Sequence, residues 1–211
     1  MRLVTIRTAN GTRAGRVDGD QVTELGAPDV GSLLSDPDWR GVAAAGTGPA
    51  RPLADADPAT LVPRPSKVIC LGLNYASHIR EMGGELPKYP TLFPKFAGTL
   101  IGARDPILLP RASEQVDFEV ELGVVIGRPA RHQVMQDSRT SDLLFGPSEI
   151  IAYVSEIITL EPGDLIATGT PAGVGAARTP PVWLRPGQVV RTLVEGVGEC
   201  LNRCLPEPAA G

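Results

Sequence analysis

Residues 116–122, VDFEVEL, alternate apolar and acidic side chains. A period of two is the pattern of a β-strand with two unlike faces. Phe118, Val120 and Leu122 fall on one face. Asp117, Glu119 and Glu121 fall on the other, with successive carboxylates about 6–7 Å apart along the strand. A half-exposed strand with solvated acids has this pattern. So does a hard-cation site, because Mg²⁺ takes oxygen ligands and carboxylates are its usual protein donors. Glu119 and Glu121 could lean together as two such donors, and close carboxylates in a buried place need a shared proton or a cation.

His78 and Glu81 stand three apart in ASHIREMG, which puts them on one face of a helix. A carboxylate beside an imidazole fixes its tautomer and raises its basicity, as a general base acting on water requires. A surface ion pair has the same spacing. The only other histidine, His132, sits in a basic RPARH run and reads as part of a solvated loop. Residues 166–175, IATGTPAGVG, read as a strand entering a Gly-rich loop. No Gly-Lys-Ser/Thr follows, so it is not a phosphate loop of the Walker type, and no helix follows as a dinucleotide fingerprint needs. Glycines let backbone N–H groups approach an anion closely, and Thr170 adds a hydroxyl. A plain tight turn is the other reading.

The elements that must carry these residues can be read from the pattern. Residues 1–25 form an antiparallel meander of three strands, with turns at Asn10-Gly11 and near Gly19. Residues 26–66, rich in Ala, Gly, Pro and Asp, end in LVPRPSK, where Pro63 and Pro65 make an extended linker. The boundary falls near residue 60, giving a small β domain at 1–60 and a main domain at 61–211. KVICLGLNY is a buried strand, ASHIREMG one or two helical turns, and TLFPKFAGTLIG a loop passing into a strand. Ile150, Ile151, Val154, Ile157 and Ile158 recur at helical spacing from Ser148 onward. LRPGQVVRTLVEGVGECLNRCL closes the chain as a pair of strands.

Composition narrows the partners. Across 211 residues, Gly and Pro contribute 24 and 21, which favours many short strands and turns over long helices. A net charge of −4 offers no electrostatic attraction to nucleic acid or an anionic membrane. Cys70, Cys200 and Cys204 form neither an even framework nor a CxxC pair, which fits reduced thiols. The expectation is a soluble, cytoplasmic protein with neither signal peptide nor membrane span.

Taken in order, ICLGLNYASHIREMG, PTLFPKF, VDFEVELGVVIGR, VMQDSRTSDLLF, LEPGDLIATGTPAGVG and LRPGQVVRTLVEGVG resemble the fumarylacetoacetate hydrolase family over roughly residues 61–205. The resemblance implies a mixed β-roll of α+β class with few helices, usually homodimeric, with Mg²⁺ or Mn²⁺ in the site. It implies Glu119 and Glu121 as metal ligands, His78 and Glu81 as the catalytic water-activating pair, and Thr170 in the loop that holds the substrate carboxylate. Asp117 is then a neighbour and not a ligand. The implied activity is metal-dependent hydrolysis of a C–C bond in a small 2,4-diketo acid of acylpyruvate type. Decarboxylation of oxaloacetate and isomerisation of a hydroxymuconate-type diacid are the alternatives within the family.

The same resemblance exposes a gap at Gln133/Val134. There the family carries a further block of about sixty residues, which makes its members longer than a domain of typical size. That block holds an Asn-Asp-Val-Ser-x-Arg-Asp strand, whose first Asp is the third metal carboxylate, and a Lys near the substrate. Neither occurs elsewhere in this chain. Asp137 and Asp142 are the nearest acids, but they match the family's QDSRTSD segment and have their own place. The gap opens a rival of another class, a non-enzymatic remnant that folds and dimerises but binds metal weakly.

Overall fold

A computed structural model describes residues 1–127, 143–194 and 196–208. The chain opens with β1 (Arg2–Thr8), β2 (Gly11–Asp18) and β3 (Gln21–Glu24), an antiparallel meander in which Thr8 pairs Gly11 and Asp18 pairs Gln21. The turns work because Gly11 and Gly19 adopt φ of 100° and 60°, open to glycine without a Cβ clash. Residues 26–66 hold more than the linker expected at Pro63 and Pro65. They fold into α1 (Val30–Leu34) and α2 (Trp39–Ala45), then β4 (Ala50–Pro52), which pairs β3. Val30, Leu33 and Leu34 sit one helical turn apart and pack with Ala14, Leu25 and Ala43 into a buried cluster. Tertiary burial overrides a composition that reads as loop, and Asp29 caps α1 by accepting from the Ser32 N–H at 2.7 Å.

The main body is built on a mixed sheet ordered β6–β5–β9–β8, made of β5 (Val68–Gly72), β6 (Thr91–Lys95), β8 (Gly123–Val125) and β9 (Leu165–Ala167). β5 runs parallel to β9, and the outer pairs are antiparallel. Two helices serve it, α3 (Ala76–Glu81) and α4 (Pro147–Ile157). Ile150 and Val154 of α4 pack on Leu71, Ile126, Leu160 and Ile166, as the helical spacing requires. A third sheet joins β7 (Ile107–Leu109) to the hairpin of β10 (Val189–Val194) and β11 (Gly198–Pro206). The N-terminal unit is tied in: Trp39 Nε1 donates to the Gly127 carbonyl at 3.2 Å, and Val125 packs against the first cluster. The result is the mixed α+β fold, with an N-terminal sheet and few helices, that the sequence implies.

Two local expectations differ. TLFPK is itself the strand, followed by a short 3-10 turn at Ala97–Thr99, in place of a loop leading into a strand. The acidic segment is irregular before Gly123, where the sheet begins. Alternation marks two unlike faces, but a ladder also needs a neighbour. β9 ends at Ala167, leaving residues 116–122 without a continuous strand partner among the described residues. The joint at Gln133/Val134, together with His132, Asp137 and Asp142, lies outside them.

Candidate active site

Where β5 ends, the chain turns sharply into α3. Leu73 takes the turn at φ 55°, a left-handed conformation that costs a residue with a Cβ about 1–2 kcal/mol. Asn74, only 1% exposed, holds it. Its amide donates to the carbonyls of Phe145 (3.0 Å) and Thr168 (2.7 Å), and its Oδ1 accepts from the Phe145 N–H at 2.7 Å. The turn is thus stitched to the start of the Gly-rich loop. Four residues on, His78 Nδ1 lies 3.2 Å from Glu81 Oε2. The Gly173 N–H donates to both Glu81 oxygens, at 3.1 and 3.0 Å. That N–H, then His78, hold the Glu81 carboxyl below its ordinary value, because both favour the charged form. Arg178 donates to the Gly173 carbonyl from Nε and Nη2, at 3.2 and 2.9 Å, and its charge acts on Glu81 in the same sense.

The acids divide their work. Glu121 is half-buried, and burial pushes its carboxyl up. The Gly169 N–H, which donates to Oε2, pulls it back down, and the charge of Glu119 pushes it up again. Cys70, buried on β5, has its thiol raised by burial and by these same glutamates, while Lys95 acts oppositely on both Cys70 and Glu121. Glu119, Glu121, Cys70 and Lys95 therefore share one electrostatic neighbourhood. Asp117 is elsewhere engaged, accepting from Gly175 N–H (2.7 Å), Ala176 N–H (2.6 Å) and Phe118 N–H (2.8 Å).

One loop collects all of this. Thr168 donates from N and Oγ1 to the Leu122 carbonyl at 3.3 and 3.0 Å, and Thr170 is buried. Gly169 at φ 95° approaches so closely that a Cβ would lie 2.9 Å from that of Asn74. From the sequence, this loop's N–H groups could meet an anion or simply close a tight turn. Those of Gly169, Gly173, Gly175 and Ala176 are held instead by the chain's own carboxylates. The loop joins the His78–Glu81 pair to the acidic segment, and Thr170 lies between the two attachments. Sequence reasoning missed Leu73 and Asn74. Nothing in a leucine signals a left-handed turn, whereas an Asn between a strand and a helix could have suggested one.

Among the described residues no group of three His, Cys, Asp or Glu could hold a metal ion. Glu119 and Glu121 supply two oxygen donors, one partly desolvated beside a like charge. That donor set suits a hard cation that keeps several waters and takes one or two carboxylates.

The family model for the fumarylacetoacetate (FAA) hydrolase C-terminal region matches residues 67–133 and 132–205. The chain belongs to the fumarylacetoacetate hydrolase family. The two matched segments overlap at residues 132–133. A mitochondrial oxaloacetate tautomerase of Bos taurus is 32% identical across an alignment covering 68% of this chain and 68% of the relative. Among solved structures, the 5-carboxymethyl-2-hydroxymuconate delta-isomerase of Mycobacterium smegmatis is 27% identical with a TM-score of 0.75, covering 98% of this chain and all of that one. The maleylpyruvate hydrolase of Sphingobium sp. SYK-6 is 25% identical with a TM-score of 0.77 at the same coverage. The fumarylacetoacetate hydrolase family is thus one of enzymes named as tautomerases, isomerases and hydrolases.

Proposed function

We propose that this chain carries out keto–enol chemistry on a small 2-oxo acid, with oxaloacetate tautomerisation as the leading reaction. The observation that carries this reading is the His78–Glu81 pair, held at 3.2 Å with Glu81 kept ionised by the Gly173 N–H. An ionised Glu81 accepts from Nδ1–H, which leaves the other ring nitrogen of His78 as the acceptor. His78 then takes a proton from the carbon beside the 2-oxo group and delivers it to the enolate oxygen, or in the enol-to-keto direction moves it from that oxygen to the carbon. Thr170 and the free part of its loop orient the substrate carboxylate. Glu119 and Glu121 would hold Mg²⁺ or Mn²⁺, which when bound supplies Lewis-acid polarisation of the 2-oxo and enolate oxygens. The similarity to an oxaloacetate tautomerase supports this choice of substrate.

A second reading is hydrolysis of a C–C bond in a 2,4-diketo acid of acylpyruvate type. It has the same pair activate water in place of a carbon acid, and the likeness to a maleylpyruvate hydrolase favours it. Mg²⁺-supplemented assays of enol-to-keto conversion of oxaloacetate and of acetylpyruvate cleavage separate the two. Loss of the faster activity in His78→Ala is expected. Equal rates in wild type and His78→Ala would sink both.

A further inference from the structure

Three acids stand in alternation, but only two have carboxylates free of heavy backbone engagement. Asp117 Oδ1 takes the N–H groups of Gly175 and Phe118, and Oδ2 takes that of Ala176. A carboxylate already accepting three short bonds has little left for a cation, so its task is different from that of its neighbours. At the other end of the same loop, Gly169 donates to Glu121 and Thr168 to the Leu122 carbonyl. The segment 117–122 thus grips the loop at both ends, with Thr170 in the span between. The fit at the Asp117 end is tight. A Cβ on Gly175 would collide with the Val182 carbonyl and with Asp117 Oδ1, so only glycine lets the backbone come this near the carboxylate.

We propose that Asp117 is a positioning residue: it fixes the far end of the Gly-rich loop so that Thr170 meets the substrate carboxylate beside Glu119 and Glu121. This rests on the functional reading above, in which that loop holds the carboxylate. Removing the anchor leaves the cation donors in place but frees the loop, so ligand binding suffers and metal binding does not. Uniform loss of binding raises KM more than it lowers kcat.

The test uses the full chain with Asp117→Ala and Asp117→Asn, Mn²⁺ alone, and oxalate in the presence of Mn²⁺, with calorimetry and amide hydrogen exchange. Mn²⁺ affinity should stay within about twofold. Oxalate affinity should fall about tenfold in Asp117→Ala, the equivalent of one charge-assisted hydrogen bond. Asp117→Asn, which keeps one acceptor oxygen, should fall between. Exchange at residues 170–173 should quicken in the same order. Unchanged oxalate affinity with unchanged loop exchange overturns the proposal, as does Mn²⁺ affinity lost in parallel with oxalate. A merely structural role would lower the melting temperature without moving the oxalate affinity of the folded fraction, and that outcome also overturns it. Wild-type chain that binds neither Mn²⁺ nor oxalate defeats the functional reading instead, and the exchange measurement still decides whether Asp117 anchors the loop.

Discussion

Glu121 and Glu81 are both carboxylates, and their surroundings push them in opposite directions. For Glu121 burial dominates and raises the folded-state value. Its contribution is complete below the unfolded carboxyl's value and is lost as pH rises through the higher folded one. Glu121→Gln removes that penalty, so in the presence of a chelator the variant should melt above wild type at neutral pH, and the difference should vanish on acidification. With Mn²⁺ the order should reverse. A ligand at a hundred times its Kd stabilises by about 2.7 kcal/mol, and the variant should forgo most of it. Thermal melts at two pH values, with and without Mn²⁺, check both halves. Glu81 is lowered by Gly173 and His78, so what it adds is present above the unfolded value and lost as pH falls through the folded one. Glu81→Gln should cost about 10²–10⁴-fold in rate if His78 is the base, with little change in Mn²⁺ affinity by calorimetry.

At the scale of elements, the site hangs on the passage from β5 to α3. Asn74 satisfies three backbone groups, the Thr168 carbonyl fully buried and the two of Phe145 partly so. Asn74→Ala orphans them, at about 1–3 kcal/mol for each group left buried without a partner. The variant should lose at least about 2 kcal/mol in urea unfolding, and its loop at 168–173 should become more open to protease. Leu73 gives the complementary case. At φ 55°, Leu73→Gly relieves about 1–2 kcal/mol of strain while adding about 0.4–1 kcal/mol of unfolded-chain entropy, so near-neutral stability is expected. Leu73→Val, β-branched at the same φ, should be clearly destabilised in the same unfolding experiment.

At the scale of the whole molecule, the β7–β11–β10 sheet turns an apolar face outward. Leu108, Leu193, Leu201, Leu205 and Val189 are all exposed, with Leu205 and Leu108 side by side in register. Arg191 and Glu199 pair on the same sheet at 2.6 Å. A patch carrying apolar residues and both signs of charge can complement its own copy. A homodimer is therefore expected, and a monomer by analytical ultracentrifugation at micromolar concentration would count against it. Turnover is the other whole-molecule prediction. The resemblance implies a third metal carboxylate in an Asn-Asp-Val-Ser-x-Arg-Asp stretch, and a nearby Lys; that stretch does not occur in this sequence. Each missing interaction worth 1.36 kcal/mol in the transition state is tenfold in rate, so activity well below about 1–10³ s⁻¹ is expected with oxaloacetate or acetylpyruvate. Rates inside that range would mean that a third ligand comes from elsewhere in the chain.

Much of this was determined by the sequence alone. The meander of β1–β3 follows from alternation and Asn/Gly turns, α4 from its helical spacing, and the His78–Glu81 pair from being three apart, because each depends on residues a few positions away. Tertiary structure decided the rest. α1 and α2 exist because Val30, Leu33 and Leu34 find Ala14 and Leu25 across the sheet. The acidic stretch fails to form a strand before Gly123 because ladder bonds need a neighbour, which no local pattern supplies. The division of Asp117, Glu119 and Glu121 is of the same kind. All three look alike in sequence, and only the approach of a loop some fifty residues later decides how its N–H groups are shared, two to Asp117 and one to Glu121.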